Sequence, residues 1–275
     1  MDYDLSGTLD LHIHTSPDIQ PRRLDDIQAA KAAKLAGMRA ILIKSHVVLT
    51  ADRAMIAEKV VGGVRIFGGL VLNHAVGGFN LDAVEAAITM GAKVVWMPTH
   101  SALSMARWTG DDGGLSIFDK ERAILPVVHE ILDRILQANI ALATGHLSVE
   151  ESVALVRLAK LMRLKKIIIT HPESVLIRMP LEIQQDLNSP GVFYERCFVD
   201  TTPLMNFGTT IEEIGSHIRA VGLDSTFVST DFGQVANPSP VEGMSIYLAS
   251  LRAMGFTERE ISKIAYLTPA FLMDL

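Results

Sequence analysis

The chain has 275 residues, of which 49% are hydrophobic and 20% are charged, and we treat residues 1–275 as a single domain because no linker rich in Pro, Gly or Ser divides them. The formal net charge of −6, without any block of Lys or Arg, argues against a nucleic-acid or membrane-surface partner. The single cysteine, Cys197, excludes an intrachain disulfide, and the polar start MDYDLSGTLD predicts no signal peptide, so we expect a cytoplasmic protein.

The predicted elements alternate between strand and helix along the whole chain. Eight apolar strand segments are predicted, at residues 8–15, 39–45, 64–73, 93–98, 140–145, 167–170, 196–202 and 226–230. Helices are predicted at residues 25–36, 51–61, about 80–90 and about 119–138, after Ser148, and between and after the later strands. A long polar loop is predicted over residues 100–118. Eight such units, with near-continuous apolar strands, predict an α/β fold of the (β/α)8 TIM-barrel type.

Seven of the nine histidines lie in or directly after the predicted strands. They are His12, His14, His46, His74, His100, His146 and His171, and Asp231 follows the last strand in the same way. Only His129 and His217 fall within predicted helices. Because the carboxyl ends of barrel strands form one rim, where the active sites of this fold are found, we expect these side chains to converge.

The motif His12-Ile13-His14 is the most specific local signal. Residues two apart on a strand project to the same side, so the two imidazoles offer two nitrogen ligands to one metal ion. Alone, a pair of this kind is weak evidence. Together with His146, His171 and Asp231 at other strand ends, it predicts a metal site in the mouth of the barrel.

In these residues the sequence resembles the amidohydrolase superfamily of metal-dependent hydrolases. That family shows a His-x-His motif after strand one, a histidine after strand five, another after strand six and an aspartate after strand eight. His12, His14, His146, His171 and Asp231 match this order. The resemblance implies that water attacks a C–N amide, lactone or ester bond of a small substrate, with a carboxylate on that substrate left open.

The resemblance also implies roles for these residues. His12, His14 and Asp231 would hold a first metal ion, and Asp231 would take a proton from the attacking water. His146 and His171 would hold a second ion, or one of them would be a ligand and the other would act on substrate. We expect one or two divalent ions, with Zn first and with Mn, Fe or Ni left open.

One departure from the family pattern concerns the bridging ligand. Binuclear members use a carboxylated lysine or a glutamate near the end of strand four, where this chain has Met97-Pro98-Thr99-His100. Lys44 is the only strand-end lysine, and it is a candidate catalytic residue as a carbamate bridge or a cation for a substrate carboxylate. An alternative is that Lys44 only pairs with an acid at the rim. Both mononuclear and binuclear sites remain open.

Other rim residues are candidates for substrate binding. They are Lys44, His46, His74 and His100, together with Arg107 and Trp108 in the predicted loop over residues 100–118. Arg22 and Arg23 in the first loop would reach the same mouth. An exposed tryptophan usually has a partner, which here is either substrate or another subunit, and we expect a homo-oligomer.

Three alternatives to a hydrolase of the amidohydrolase type remain. Some mononuclear relatives with a similar ligand set are decarboxylases of aromatic acids. The phosphoesterase family first described in DNA polymerases and histidinol phosphatase opens with a similar strand, and Lys44-Ser45-His46 resembles its second motif, but Asp231-Phe232-Gly233 lacks its late Asp-x-His. A barrel that only binds a ligand would have no need of all five metal-ligand candidates.

Overall fold

Eight parallel strands form one barrel in the computed structural model, which describes residues 3–111 and 113–275. Each strand pairs with the next along the chain. The strands are β1 (Leu9–Ile13), β2 (Ala40–Ile43), β3 (Arg65–Val71), β4 (Val94–Trp96), β5 (Ala141–Ala143), β6 (Ile167–Thr170), β7 (Val192–Cys197) and β8 (Thr226–Ser229). The predicted TIM-barrel fold is confirmed.

The described residues also form eleven α-helices outside the barrel. They are α1 (Asp26–Leu35), α2 (Ala51–Val61), α3 (Leu81–Thr89), α4 (Leu103–Thr109), α5 (Pro126–Ala138), α6 (Val149–Leu161), α7 (Leu181–Leu187), α8 (Ile211–Val221), α9 (Pro240–Ala253), α10 (Glu258–Ser262) and α11 (Thr268–Met273). The predicted capping box is present at α6, where Ser148 and Glu151 bond reciprocally. None of these helices is both long and apolar enough to cross a lipid bilayer.

The junction of β8 with β1 closes the barrel and positions the first histidine pair. The amide of Asp231 donates to the carbonyl of His12 at 2.8 Å, and the amide of His14 donates to the carbonyl of Phe232 at 2.7 Å. The β1–β2 register is irregular between Asp10 and Ile13, as in a β-bulge. Consequently Leu11 packs inside the barrel and Ile13 packs under the outer helices, while the two histidine rings meet the same carboxylate.

Two layers of apolar side chains support the strands. Inside the barrel, residues such as Leu42, Phe67 and Phe227 form one cluster, which Leu272 and Met273 extend at the end of the chain. Alternate strand residues pack outward against the helices in two larger clusters. This alternation leaves the carboxyl ends of the strands as the place where polar side chains gather.

Three predicted boundaries were wrong. Strand seven was predicted at residues 196–202 but lies at Val192–Cys197, because its charged residues are buried and paired rather than exposed. The predicted polar loop over residues 100–118 contains α4, although Asp112 in that loop lies outside the described residues. The helix predicted at 119–138 begins only at Pro126, a residue that favours the first helical position.

Candidate metal centre

Three imidazoles converge on the carboxylate of Asp231. Its Oδ1 lies 3.1 Å from Nε2 of His12 and 2.9 Å from Nε2 of His14, and its Oδ2 lies 3.2 Å from Nε2 of His171. All four residues are less than 10% exposed. The structure therefore brings together four of the five residues predicted as metal ligands, from β1, β6 and β8.

A further carboxylate lies behind each of two of these rings. Glu195 of β7 contacts Nδ1 of His12 at 3.2 Å, and Asp200, just after β7, contacts Nδ1 of His171 at 3.1 Å. Both carboxylates are 2% exposed or less. Carboxylates in this position hold the orientation and the tautomer of metal-binding histidines.

This arrangement calls for a cation at the centre. An ionised carboxylate only accepts hydrogen bonds, so Nδ1 of His12 and Nδ1 of His171 must carry their protons toward Glu195 and Asp200. In a ring that carries no second proton, the Nε2 lone pair then faces the oxygens of Asp231, which are also acceptors, and at His12 the amine of Lys44 lies 2.9 Å from the same Nε2. A proton or a metal ion between them removes the repulsion, and imidazole and carboxylate ligands suit a divalent transition metal. The residues present fit a metal ion.

The electrostatics of the ring cluster agree with this interpretation. Burial lowers the pKa of His14 to about 4, so its ring is a neutral donor near pH 7. Burial opposes charge on Asp231, but His12, His14 and His171 outweigh it and hold the pKa of Asp231 well below its usual range. Burial also opposes charge on His171, yet Asp200 and Asp231 raise the pKa of His171. A negative centre surrounded by imidazoles is what a cation site requires.

The backbone is unusual at two of these residues. His171 has φ of 49° and Asp231 has φ of 53°, in the left-handed region that non-glycine residues rarely adopt. Conformations of this kind cluster at functional sites because the surrounding structure has to enforce them. Beside them, Gly233 has φ of 144°, and a Cβ there would lie 1.9 Å from the carbonyl oxygen of His14. Only glycine fits at this position.

Lys44 lies at the floor of the site. Its Nζ is 2.9 Å from Nε2 of His12 and 5.1 Å from the ring of Trp96, and the residue is 1% exposed. Burial lowers the pKa of Lys44, while Asp231 and Glu195 act in the opposite direction. The Lys44 amine therefore contacts the centre itself, whereas the alternative interpretation predicted only a pair with an acid at the rim.

A second group of imidazoles borders the first. The rings of His14, His46 and His100 are stacked, with centroids 4.8 Å and 3.8 Å apart, and His146 lies 5.5 Å from His171. His146 is buried, and its Nδ1 has no hydrogen-bond partner among the described residues. His46 contacts the hydroxyl of Thr99 through Nδ1 at 2.8 Å. Of the predicted extra histidines, His46 and His100 therefore join the site.

The remaining predicted residues lie at or outside the mouth. His74 is exposed, and its Nε2 contacts the carbonyl of Gly113 at 2.8 Å. Arg107 and Trp108 are exposed on α4 rather than in a loop. In contrast, the side chain of Arg22 is 3% exposed and bonds to Asp18, and it lies close enough to His14 and Lys44 to act on both electrostatically.

The thiol of Cys197 lies beside the centre. One ligand atom each from His12, His171, Cys197 and Asp231 lies within 4.8 Å of the others. However, the Cys197 sulfur is 3.8 Å from Nδ1 of His12, on the side of the ring that faces Glu195. Burial raises the pKa of the Cys197 thiol well above its usual range. Cys197 is therefore a weaker ligand candidate than His14, although it is buried beside the same centre.

Sequence reasoning missed Glu195 and Asp200 as functional residues. Strand seven was placed four residues too late, so Glu195 fell outside it and Asp200 fell within it. The available signal was the run VFYERC, in which apolar residues flank two charges. A charged pair in the middle of a buried barrel strand calls for partners, and Glu195 finds one in His12 while Arg196 finds one in Glu173.

Several solved structures share this fold. An amidohydrolase from Pseudomonas aeruginosa has 13% identity and a TM-score of 0.65, with 98% of this chain and 95% of that chain covered. A dipeptidase described as a metallopeptidase has 12% identity and a TM-score of 0.68, with 98% of each chain covered. An organophosphorus hydrolase from Deinococcus radiodurans has 14% identity and a TM-score of 0.60, with 98% and 93% covered. At these identities the likeness shows the fold, which is the fold that the amidohydrolase resemblance implied.

Comparison with curated protein sequences finds no match. A family profile with the description "Family of unknown function (DUF6282)" matches residues 7–195, which is more than half of the chain. The matched region runs from just before β1 into β7, so it includes four of the five predicted metal ligands as well as Lys44 and Glu195. The chain belongs to this family.

Proposed function

We propose that the protein is a metal-dependent hydrolase of the amidohydrolase type, acting at an amide, lactone or ester bond. The observation that carries the proposal is the convergence of three Nε2 atoms on Asp231, with Glu195 and Asp200 behind two of the rings. Similarity of fold to an amidohydrolase, a dipeptidase and an organophosphorus hydrolase supports the same reaction class.

We propose one divalent ion, with Zn as the first candidate, held by His12, His14, His171 and Asp231. A bound ion would supply Lewis acidity that lowers the pKa of water and polarises the bond to be broken. Asp231 has two carboxylate oxygens at the centre, so it is also placed to accept a proton from the attacking water. We assign a role in substrate binding to His146, because it lies beside His171 and its Nδ1 has no hydrogen-bond partner in the part of the chain that the structure describes.

The charges around the mouth favour an anionic substrate. The Lys44 amine and the Arg22 guanidinium both lie near the imidazole cluster. The Thr99 hydroxyl accepts a hydrogen bond from Asn73, so the hydroxyl proton of Thr99 is available to Nδ1 of His46. The proton of the neutral His46 ring is then on Nε2, where it can be donated to a substrate. The Arg22 guanidinium, the Lys44 amine and the N–H of His46 would bind a carboxylate on a small substrate.

Metal content is the first test. Elemental analysis of protein purified without chelator should give about one equivalent, lost in a His12→Ala/His14→Ala double variant and kept in His129→Ala, whose ring is exposed on α5. Added metal should also raise the thermal stability of the wild type and of His129→Ala, but not that of the double variant. Two equivalents would contradict the single-ion proposal, and no bound metal with no stabilisation would overturn the metalloenzyme proposal itself.

Hydrolysis is then measured on matched esters, lactones and amides, each with a free or a methylated carboxylate. We expect Lys44→Met to raise KM for the carboxylated substrates while the metal content stays unchanged. A loss of metal in Lys44→Met would instead favour the bridging role. Carbon dioxide release from an aromatic acid, without hydrolysis of any substrate, would favour the decarboxylase alternative.

A further inference from the structure

The outward face of α2 exposes large apolar side chains. Met55, Ile56 and Val60 are 62%, 59% and 62% exposed, although all three lie within one helix of eleven residues. The opposite face of α2 is formed by Ala51, Ala54 and Ala57, which are buried. The helix therefore carries apolar side chains on both sides, and packing against the barrel accounts for only one of these sides.

The apolar surface continues beyond α2. On one side, Leu35 at the end of α1 is 91% exposed, and Lys34 beside it bonds to the carbonyl of Val61. On the other side, Met55 lines an open groove of about 1270 Å³ that reaches Met90 after α3. Single exposed apolar residues are normal on a protein surface, but a contiguous group of them indicates an interaction site.

The charged residues on the exposed face of α2 are complementary to those of a second α2 helix that runs in the opposite direction. Asp52 and Lys59 are exposed, seven residues apart, so they lie on nearly the same side of the helix, about 10 Å apart along its axis. Neither has an ionic partner in the part of the chain that the structure describes. The midpoint between them falls between Met55 and Ile56, the two central apolar residues.

We propose that the protein forms a two-fold symmetric dimer through α2. A two-fold axis between Met55 and Ile56 packs two α2 helices antiparallel. Each Asp52 then lies opposite Lys59 of the second copy, while Met55 and Ile56 flank the seam on opposite sides, so that Met55 faces Met55 of the second copy and Ile56 faces Ile56. Contacts of this reciprocal kind are what a two-fold interface requires, and an unrelated partner would not need self-matching charges.

Charge reversal tests the pairing directly. The wild type should sediment with twice the 30.0 kDa chain mass. Asp52→Lys and Lys59→Asp should each raise the dimer dissociation constant at least about tenfold at low salt, since each variant places two like-charged pairs across the axis. The double variant Asp52→Lys/Lys59→Asp should recover most of the loss. If it does not, or if the single variants dimerise like the wild type, the proposed pairing is wrong.

Two further variants guard against misfolding as an explanation. Ile56→Asp should give a monomer with a wild-type circular dichroism spectrum, whereas Leu161→Asp, at a residue 80% exposed on α6, should remain dimeric. Met55→Cys should form a disulfide-linked dimer on mild oxidation, whereas Leu161→Cys should not. A monomeric wild type at all concentrations, or a dimer that survives Ile56→Asp, would overturn the proposal.

Discussion

Glu195 provides the sharpest test of how the candidate metal centre is organised. Its carboxylate contacts Nδ1 of His12 at 3.2 Å, and the two residues are 2% and 0% exposed. Replacement of Glu195 by Gln keeps an oxygen acceptor of the same reach but removes the negative charge. Replacement by Ala removes the acceptor altogether and leaves the His12 ring free to turn or to change its tautomer.

The expected magnitudes follow from the strength of this contact. A hydrogen bond to a charged group contributes about 1 kcal/mol more than a neutral one, so Glu195→Gln should weaken metal binding about fivefold. Loss of the whole contact should weaken binding by about 10- to 100-fold, the usual range when a carboxylate behind a metal-binding histidine is removed. The order wild type, Gln, Ala is the essential prediction.

Competition with a chromophoric chelator at constant pH measures these affinities. Glu173→Gln is the matched control, because Glu173 is also buried but bonds to Arg196 and His217. Thermal unfolding of the metal-free proteins shows whether each variant folds. Equal metal affinity in wild type and Glu195→Ala, or an equal loss in Glu173→Gln, would refute the assignment of Glu195 as the residue that orients His12.

Three other substitutions have expected outcomes that stability and binding measurements can check. Gly233→Ala should abolish metal binding or soluble expression, because its Cβ would collide with the carbonyl of His14, whereas Gly113→Ala meets nothing closer than 3.7 Å and should be tolerated. Ser148→Ala should lower the free energy of unfolding by about 1 kcal/mol in urea titrations, since it removes the cap of α6; an unchanged midpoint would contradict this. Arg53→Met should cost about 1 to 3 kcal/mol in the same assay, because its guanidinium bonds to a carboxylate and to two loop carbonyls; a loss below 0.5 kcal/mol would show that water replaces these bonds.

The sequence was sufficient for the barrel and for the convergence of histidines on Asp231 because both depend on local patterns. An apolar run that ends in histidine indicates both a buried strand and the polar carboxyl end of that strand. His12 and His14 were predicted on one side of a strand, and both reach Asp231, which is 217 residues further along the chain than His14. The fold joins them because parallel strands put all their carboxyl ends at one rim.

Contacts between distant side chains were harder to predict. Glu195 resembles a surface residue unless its partner His12 is known, and the displaced strand boundary followed from that ambiguity. The stack of His14, His46 and His100 depends on ring orientations, which strand periodicity does not specify. The helix α4 was not predicted because its residues lie between polar turns, and because short helices depend more on tertiary packing than on helix propensity.

The two tryptophans differ in burial, because one lies at the floor of the mouth and the other at the surface, and the buried one is an intrinsic fluorescent probe of the centre. Trp96 is 2% exposed at the floor, with its ring centroid 6.2 Å from that of His12, whereas Trp108 is 60% exposed on α4. With Trp108→Phe, the only remaining indole emitter is the one beside the centre. Arrival of a quenching ion such as Co²⁺ or Cu²⁺ should then dim a blue-shifted emission band, so that binding kinetics can be followed by stopped flow before any substrate is known.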